Sequence, residues 1–406
     1  MVRAPGHNAS PAGRPRSLQL DVLRGVAILL VLGSHPAVES SAAGSLAVLA
    51  RPWQSFGWTG VDLFFVLSGY LIGGLLIAEL GSHGGIDVRR FLVRRSFKIW
   101  PCYYVYLIIA ADLMLGRKGF NSEAARQVGS DLLPNLFHLQ NYLGTPLGHT
   151  WSLAVEEHFY LALPLLLALI ARNPAGGASP LPRALPAITV AVCLACLGCR
   201  LHDVGGSTPL WLLRHRSHLR IDSLLFGVLL AYLRFNRPEF WRRLASRPLA
   251  LSTAGMVALA PMLVLGRDDQ GPFVMTVGYT LLYFGYGLIL TAMTSVPMPL
   301  SLPTRALSFV GRHSYPIYLC HIDLARDPVQ WAVRSIAWGG ARELIWLTTM
   351  AAYLAAATLV GVLLGSLVEA PALALRDRLF PSRLTESPGL VIASTTEKGA
   401  LGVGLP

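Results

Sequence analysis

Residues 58–80 read WTGVDLFFVLSGYLIGGLLIAEL and hold two charged side chains, Asp62 and Glu79. A helix that crosses a lipid bilayer needs about 20 mostly apolar residues, so this stretch predicts a membrane-spanning helix. Nine further stretches have a similar length and apolar content. The ten predicted spans are 18–37, 58–80, 99–116, 149–171, 184–201, 218–235, 248–266, 272–293, 308–325 and 343–368.

The composition of the whole chain points in the same direction. Of its 406 residues, 53% are apolar and 14% are charged, whereas soluble domains carry about 25% charged residues. Two or three soluble domains, a collagen-like chain and a disordered chain are therefore excluded. Five cysteines do not suggest a disulfide-stapled secreted scaffold. The sequence predicts an all-α, polytopic membrane helix bundle of about ten transmembrane helices.

Basic residues are distributed unevenly between the predicted loops. With the N-terminus placed in the cytoplasm, the inner segments hold 21 of the 34 Lys and Arg residues and the outer segments hold 11. Because cytoplasmic loops carry an excess of Lys and Arg, both termini are expected in the cytoplasm. Most of the net charge of +12 is then an orientation signal. No basic strand or groove with interleaved aromatic residues predicts nucleic-acid binding.

The chain divides into three predicted parts. Residues 1–17 form a cytoplasmic N-terminal segment, and residues 18–370 form the transmembrane domain. Residues 371–406 form a cytoplasmic tail, which we expect to be disordered because its end is rich in Ser, Thr, Gly and Pro and has no apolar period.

The first predicted helix carries two ionisable side chains, Arg24 and His35. Ionisable groups inside a span are costly and are functional candidates by default. The two residues are 11 positions apart, which places both on one helix face, roughly 16 Å apart along the axis. Arg24 is a fixed cation that suits phosphate, and His35 can take a proton near neutral pH. The structural alternative is that Arg24 pairs with Asp21 and His35 bonds to a neighbouring backbone group.

The second predicted helix supplies a carboxylate on the side of the membrane that His35 reaches. Asp62 there could hold an N–H of the His35 ring, which would fix the ring tautomer and raise its basicity. The alternative is that Asp62 caps its own helix at the interface.

A cluster of basic residues precedes the third predicted helix. Five of the ten residues in 89–98 are Arg or Lys, and Arg95 and Lys98 form an i,i+3 pair. Five basic residues in ten are more than the orientation of the helix in the membrane requires. The cluster suits either acidic lipid headgroups or a polyanionic cofactor.

Two adjacent carboxylates, Glu156 and Glu157, lie near the start of the fourth predicted helix. Successive helical residues point about 100° apart, so one of the two is expected to face a cavity. A structural role, in bonding the backbone of another helix, fits their position as well as catalysis does.

Six segments, in order, resemble the motifs of the membrane acyltransferase-3 superfamily, which includes bacterial O-acyltransferases that act on sugars, polysaccharides or macrolides. The segments are Leu20–Gly25 with His35, Gly60–Tyr70, Arg95–Pro101, Trp151–Tyr160, Arg220–Gly227 and Gly311–His321. Each segment alone is a weak signal, whereas six in family order are a strong one. The departure is Lys98, where the family usually has arginine; lysine keeps the charge but loses the bidentate fork.

The resemblance implies an enzyme that moves an acetyl or other short acyl group from cytoplasmic acyl-coenzyme A to a hydroxyl, directly or through an acyl-histidine. It implies His35 as general base with Asp62 as its support. The anionic end of coenzyme A would bind at Arg24, Arg95 and Lys98. Other motif residues are expected to contact substrate or to support the structure: Ser68, Trp151, Ser152, Glu156, Glu157, Tyr160, Arg220, Tyr315 and His321.

The acceptor is left open by the sequence. A hydroxyl of a glycan, of a lipid-linked sugar or of a macrolide or polyketide fits, and membrane lipid is the other expected partner. No metal is expected, since Cys193, Cys196 and Cys199 have no fourth thiol nearby. The expected location is the cytoplasmic (inner) membrane of a bacterium. The rival class is a transporter or flippase with a proton relay of intramembrane charges, but the corresponding halves of such transporters are not found in the sequence.

Overall fold

The computed structural model describes residues 17–171, 181–206, 214–265, 271–335 and 341–383, and the regular elements in these ranges are helices without any strand. This confirms the all-α prediction. The helices are α1 (Leu18–Ser34), α2 (Ala47–Phe56), α3 (Gly60–His83), α4 (Val88–Lys118), α5 (Ser122–Leu136), α6 (Gln140–Leu143), α7 (Trp151–Ala171), α8 (Leu181–Val204), α9 (Ile221–Asn236), α10 (Pro238–Ala245), α11 (Pro248–Leu265), α12 (Tyr279–Ser295), α13 (Leu302–Arg312), α14 (Ser314–Cys320), α15 (Asp327–Arg334), α16 (Arg342–Leu364) and α17 (Ala370–Leu379).

Seven helical stretches in the described part of the chain are long and apolar enough to cross a membrane. They are Gly44–His83, Val88–Lys118, Gly148–Ala171, Ala184–Val204, Pro248–Leu265, Val274–Ser295 and Arg342–Leu379. Each overlaps one of the ten predicted spans, which confirms a multi-pass helical bundle. The count of about ten and the placement of both termini in the cytoplasm stay predictions.

The other three predicted spans correspond to shorter helices. α1 has 17 residues and α9 has 16, and the predicted span 308–325 is divided at His313 between α13 and α14. The predicted first span, 18–37, ends three residues beyond the end of the observed helix, and His35 is the C-cap residue. α1 ends at Ser34, and the backbone N–H of His35 turns back to the carbonyl oxygen of Leu32 at 3.2 Å.

α3 lies near the centre of the bundle. In the most apolar 18-residue stretch of the span that contains α3, 72% of the residues are buried inside the protein. The corresponding share is 22% in the spans of α8 and α11. Those two helices expose apolar side chains such as Leu194 and Val257. A helix that is apolar all round is buried or faces lipid, so α8 and α11 form part of the lipid-facing surface.

Glycines allow the helices that carry the first two motifs to pack closely. Gly25 on α1 faces the backbone of α13, and Gly311 on α13 faces the backbone of Asp21. A Cβ atom at either glycine would overlap a carbonyl oxygen, so small residues are required for this approach. Gly69 on α3 and Gly227 on α9 meet in the same way. Close crossings therefore fix the positions of α1 and α3.

Candidate active site

Three partly open cavities lie among the described helices, and the volumes given for them include the open space at their mouths. The basic cavity, of about 1080 Å³, is lined by Arg24, Glu79, Arg90, Arg94, Arg95, Lys98, Arg376, Ser382 and Arg383 and by apolar residues of α3 and α4. The central cavity, of about 650 Å³, is lined by Arg24, Ser68, Arg95, Lys98, Ser152, Glu156, Ser314, Tyr315 and Tyr318 and by apolar residues of α3, α4 and α7. The histidine cavity, of about 810 Å³, is lined by Ser34, His35, Trp58, Val61, Asp62, Gly148, His149, Trp151, Arg214, His215, Arg220 and Tyr318.

These cavities are neighbours, because adjacent ones share residues. Arg24, Arg95 and Lys98 line both the basic and the central cavity. Val61 and Tyr318 line both the central and the histidine cavity. The three cations predicted to bind the donor and the histidine predicted to act as base therefore border one series of cavities.

Arg24 reaches the cavities from α1 and lines both the basic and the central cavity. Asp21 and Glu156 lie close enough to Arg24 to interact with its charge. Lys98 pairs with Glu369. A guanidinium that lines a cavity suits an anionic ligand, because its planar N–H groups match phosphate and carboxylate oxygens.

The phenol of Tyr160 connects residues of three motifs. It donates to Oε2 of Glu156 at 2.6 Å, and it lies 2.5 Å from both Nη2 of Arg95 and Oγ of Ser68. Tyr160 itself is buried, whereas its three partners line the central cavity. The phenol thus fixes the positions of a cation, a carboxylate and a hydroxyl in the wall of that cavity.

One of the two adjacent carboxylates borders these three cavities. Glu156 lines the central cavity, whereas Glu157 lines none of the three. Oε2 of Glu157 lies 3.5 Å from Nε1 of Trp100 on α4. The different directions follow from the 100° step between successive helical residues.

Tyr318 stands where the central and histidine cavities meet. Its hydroxyl donates to the carbonyl oxygen of His149 at 2.7 Å and accepts from Oγ of Ser152 at 2.7 Å. Tyr315, on the same helix, donates to the carbonyl oxygen of Ile99 at 2.8 Å. These bonds tie α14 to α7 and to α4 around the junction.

Three histidines meet beside the histidine cavity. Nδ1 of His35 lies 3.2 Å from the carbonyl oxygen of Val31, 3.2 Å from Oγ of Ser34 and 3.4 Å from Nε2 of His321. The centroid of the His149 ring lies 5.2 Å from that of His321. Within the described ranges, no group of three or more His, Cys, Asp or Glu side chains is arranged to hold a metal ion.

The described partner of Asp62 is Arg220. Oδ1 of Asp62 accepts from Nη2 of Arg220 at 2.6 Å, and both side chains are buried. The Arg220 guanidinium also lies 5.5 Å from the centroid of the Trp151 ring. The ring of His321 packs against that of His35, with 5.1 Å between the ring centroids. The role of Asp62 as a support for His35 stays a prediction.

Aromatic rings and a further cation complete the histidine cavity. The guanidinium of Arg214 lies 5.4 Å from the centroid of the Trp58 ring, and the rings of Trp151 and His215 are 4.9 Å apart. His215 lies in the loop before α9, where burial, reinforced by Arg214 and Arg220, lowers its pKa to about 3. The His215 ring is therefore uncharged near neutral pH, and the Arg214 guanidinium lines the same cavity.

Several of these residues were not among the predicted site residues, namely Trp58, His149, Arg214, His215 and Tyr318. Trp58 and His149 lie two positions before matched motifs, and Tyr318 lies inside one, so a wider reading of those motifs could have found them. Arg214 and His215 follow no pattern in the sequence, because a polar residue in a loop has no apolar run to mark it.

The chain is a multi-pass membrane protein whose helices enclose a series of polar cavities. Residues 17–366 match the family model described as an acyltransferase domain, and the chain belongs to this family, acyltransferase-3. The family predicted from the motifs is therefore confirmed. No solved structure shows a significant match to the chain.

Three proteins similar to this chain come from bacteria. A peptidoglycan O-acetyltransferase of Listeria monocytogenes is 26% identical over 326 residues, which cover 74% of this chain and 48% of the relative. A candidate O-acetyltransferase of Staphylococcus aureus is 28% identical over 334 residues, covering 74% and 49%. A candidate peptidoglycan O-acetyltransferase of Bacillus subtilis is 26% identical over 343 residues, covering 79% and 50%. The chain spans about half the length of these relatives.

Proposed function

We propose that the chain is a membrane O-acyltransferase that moves an acetyl or other short acyl group from acyl-coenzyme A to a hydroxyl of a glycan. Membership of the acyltransferase family supports acyl transfer, and relatives named as peptidoglycan O-acetyltransferases support a glycan acceptor. The observation that carries the proposal is the series of three cavities. Three cations line both the basic and the central cavity, and His35 lines the histidine cavity, which adjoins the central cavity.

In this proposal the anionic end of coenzyme A binds in the basic cavity. Arg24 and Arg95 supply planar guanidinium groups that suit phosphate oxygens, and Lys98 supplies a point charge. All three also line the central cavity, so the pantetheine arm passes them on its way inward. The arm then carries the thioester through the central cavity toward His35.

His35 is the general base of the proposed reaction. Its Nε2 takes the proton of the acceptor hydroxyl while the hydroxyl oxygen forms a bond to the carbonyl carbon of the thioester. The carbon–sulfur bond then breaks, and its electron pair leaves on the coenzyme A sulfur. That sulfur receives the proton from His35, which returns the ring to its neutral state.

The acceptor is proposed to enter the histidine cavity. Trp58 and Trp151 line it, and aromatic rings of this kind offer flat apolar surfaces against which a sugar ring can pack. The Asp62–Arg220 ion pair lines the same cavity and would hold its wall in place. Binding of the acceptor here brings its hydroxyl to His35 from the side opposite to the donor.

The proposed location is the inner membrane of a bacterium, with both termini and the basic cavity on the cytoplasmic side. The seven apolar helical stretches support a multi-pass membrane protein, and the similar proteins are bacterial. Cytoplasmic acyl-coenzyme A would then have direct access to the basic cavity.

The test is an acyl-transfer assay on the purified, detergent-solubilised protein, with labelled acetyl-coenzyme A as donor and peptidoglycan glycan strands as acceptor. We expect His35→Ala to lower the rate by roughly 100-fold or more, the usual effect of removing a general base. His202→Ala is the matched control, since His202 is an exposed histidine on α8. Full activity of His35→Ala would remove this residue from the reaction.

A further inference from the structure

Two histidines that are distant in the sequence lie side by side. Nδ1 of His35 is 3.4 Å from Nε2 of His321, although 286 positions separate the two residues. His35 lines the histidine cavity, whereas His321 is fully buried behind it and is not part of the cavity wall. Any effect of His321 on a ligand in this cavity would therefore pass through His35.

The backbone around His321 determines which of its ring nitrogens carries hydrogen. Nδ1 lies 2.6 Å from the carbonyl oxygen of Tyr318. A carbonyl oxygen can only accept, so Nδ1 of His321 is the donor in this bond. The other nitrogen of a neutral ring then carries the lone pair. His321 thus presents an acceptor, Nε2, toward His35.

The surroundings of His35 select the matching form of its own ring. Its Nδ1 lies within 3.2 Å of the carbonyl oxygen of Val31 and of Oγ of Ser34, as well as near His321. The Ser34 hydroxyl donates to the same Val31 oxygen at 2.8 Å, so its own oxygen faces Nδ1 as an acceptor. The ring hydrogen of neutral His35 therefore lies on Nδ1, and Nε2 carries the lone pair.

His321 reaches this position at the point where α14 ends. Residues His321–Arg326 form a π-helical turn, a feature that is frequent at functional sites. Tyr318, three residues earlier, contributes both the carbonyl oxygen that holds His321 and the side chain that lines the central and histidine cavities. The junction between the cavities and the ring behind His35 are thus parts of one continuous helical segment.

We propose that His321 is a positioning residue for acyl transfer. It is one of three acceptors around the Nδ1 hydrogen of His35, together with the Val31 carbonyl oxygen and Oγ of Ser34. It therefore helps to hold the base in the tautomer whose Nε2 can take the proton of the acceptor hydroxyl. It also stabilises the positive charge that the His35 ring carries between taking this proton and releasing it to the departing sulfur. His321 keeps its own hydrogen on Nδ1 throughout. This role rests on the proposed function, in which His35 is the base.

Two substitutions separate this role from a local structural one. Asparagine at position 321 keeps a donor near the Nδ1 position, toward the Tyr318 carbonyl, but has no acceptor that reaches His35. Glutamine places its amide oxygen near the Nε2 position and so keeps an acceptor there. We expect His321→Asn to lower kcat roughly tenfold or more, with KM for acetyl-coenzyme A unchanged. His321→Gln should recover most of the lost kcat.

The assay uses the full chain in detergent with acetyl-coenzyme A and peptidoglycan glycan strands, and thermal unfolding checks that each variant is folded. Wild-type kcat in His321→Asn, or equal losses in the Asn and Gln variants, would overturn the positioning role. His35→Ala is assayed in parallel to separate the two proposals. If this variant is active, the base assignment itself is wrong; if it is inactive while His321→Asn is fully active, the role of His321 alone is wrong.

Discussion

The guanidinium of Arg95 lies over the ring of Tyr160, 4.1 Å from the ring centroid, and its Nη2 is 2.5 Å from the phenol oxygen. Tyr160 therefore holds this cation in two ways, by a charge-assisted hydrogen bond and by its ring face. Because the same phenol donates to Glu156, the cation and the carboxylate of the central cavity depend on one buried hydroxyl.

Replacing Tyr160 with phenylalanine should loosen Arg95 while leaving the ring in place. A hydrogen bond to a charged group contributes about 1.5–3 kcal/mol, and about 1.4 kcal/mol corresponds to a tenfold change in affinity. We therefore expect KM for acetyl-coenzyme A to rise by roughly tenfold. Tyr104→Phe is the control, because the Tyr104 hydroxyl bonds to the carbonyl oxygen of Leu136 away from the cavities. Equal KM values in the two variants would contradict the role of Tyr160.

Arg24→Ala should weaken donor binding only by removing a contact with the phosphate groups of coenzyme A. The sharpest comparison uses two donors, acetyl-coenzyme A and acetyl-pantetheine, since the second has the thioester arm without phosphate groups. We expect KM for acetyl-coenzyme A to rise roughly tenfold, as for the loss of one charge-assisted hydrogen bond, and KM for acetyl-pantetheine to stay unchanged. Arg89→Ala is the control, because Arg89 is exposed on α4. A similar rise for both donors would show that Arg24 does not bind phosphate.

Lys98→Arg tests the one departure from the family motif. Arginine at this position keeps the charge that pairs with Glu369 and adds the bidentate fork. We expect its KM for acetyl-coenzyme A to equal or fall below that of the wild type, and Lys98→Met to raise KM severalfold through loss of a charge-assisted bond. Kinetics with varied acetyl-coenzyme A measure both values. If Lys98→Met binds the donor normally, Lys98 serves only its ion pair with Glu369.

The sequence allowed the charged wall of the central cavity to be predicted. Arg24, Arg95, Lys98 and Glu156 stand out because ionisable residues are rare in apolar helices, and helical periodicity indicates that Glu156 and its neighbour point in different directions. These inferences need only the spacing within one helix. The existence of the seven spans could be predicted for the same reason, but their ends could not: Gly44–His83 and Val88–Lys118 extend well beyond the predicted 58–80 and 99–116.

Contacts between helices could not be derived in this way. The His35–His321 contact joins residues 286 positions apart, and it exists because α1 ends at Ser34 and α14 at Cys320. A hydropathy pattern predicts that a segment is helical but does not determine the residue at which the helix ends. The partner of Asp62 likewise depends on how α3 packs against α9, which no single segment reveals.

The close approach of α1 and α13 should make Gly311 intolerant of a side chain. A methyl group there would overlap the carbonyl oxygen of Asp21, and such overpacking typically costs about 1–3 kcal/mol. We expect Gly311→Ala to lower the thermal unfolding temperature in detergent by several degrees. Gly81→Ala is the matched control, since a Cβ atom at this α3 position would meet no other atom within 4 Å. If both variants unfold at the same temperature, the two helices do not pack as closely as described.

Loss of one partner of the buried Asp62–Arg220 ion pair should destabilise the folded protein. Removing one charge leaves the other buried and uncompensated, which typically costs about 3–5 kcal/mol, whereas replacing both by apolar residues is often neutral. We therefore expect Asp62→Leu to lower the unfolding temperature strongly and Asp62→Leu with Arg220→Met to recover most of the loss. Glu123→Gln, which breaks the exposed pair with Arg126, should change the unfolding temperature little because surface pairs contribute little.

Acyl transfer by the double variant then distinguishes the two roles of the pair. A stable but inactive protein assigns Asp62 or Arg220 to the reaction, and a stable, active protein restricts both to structure.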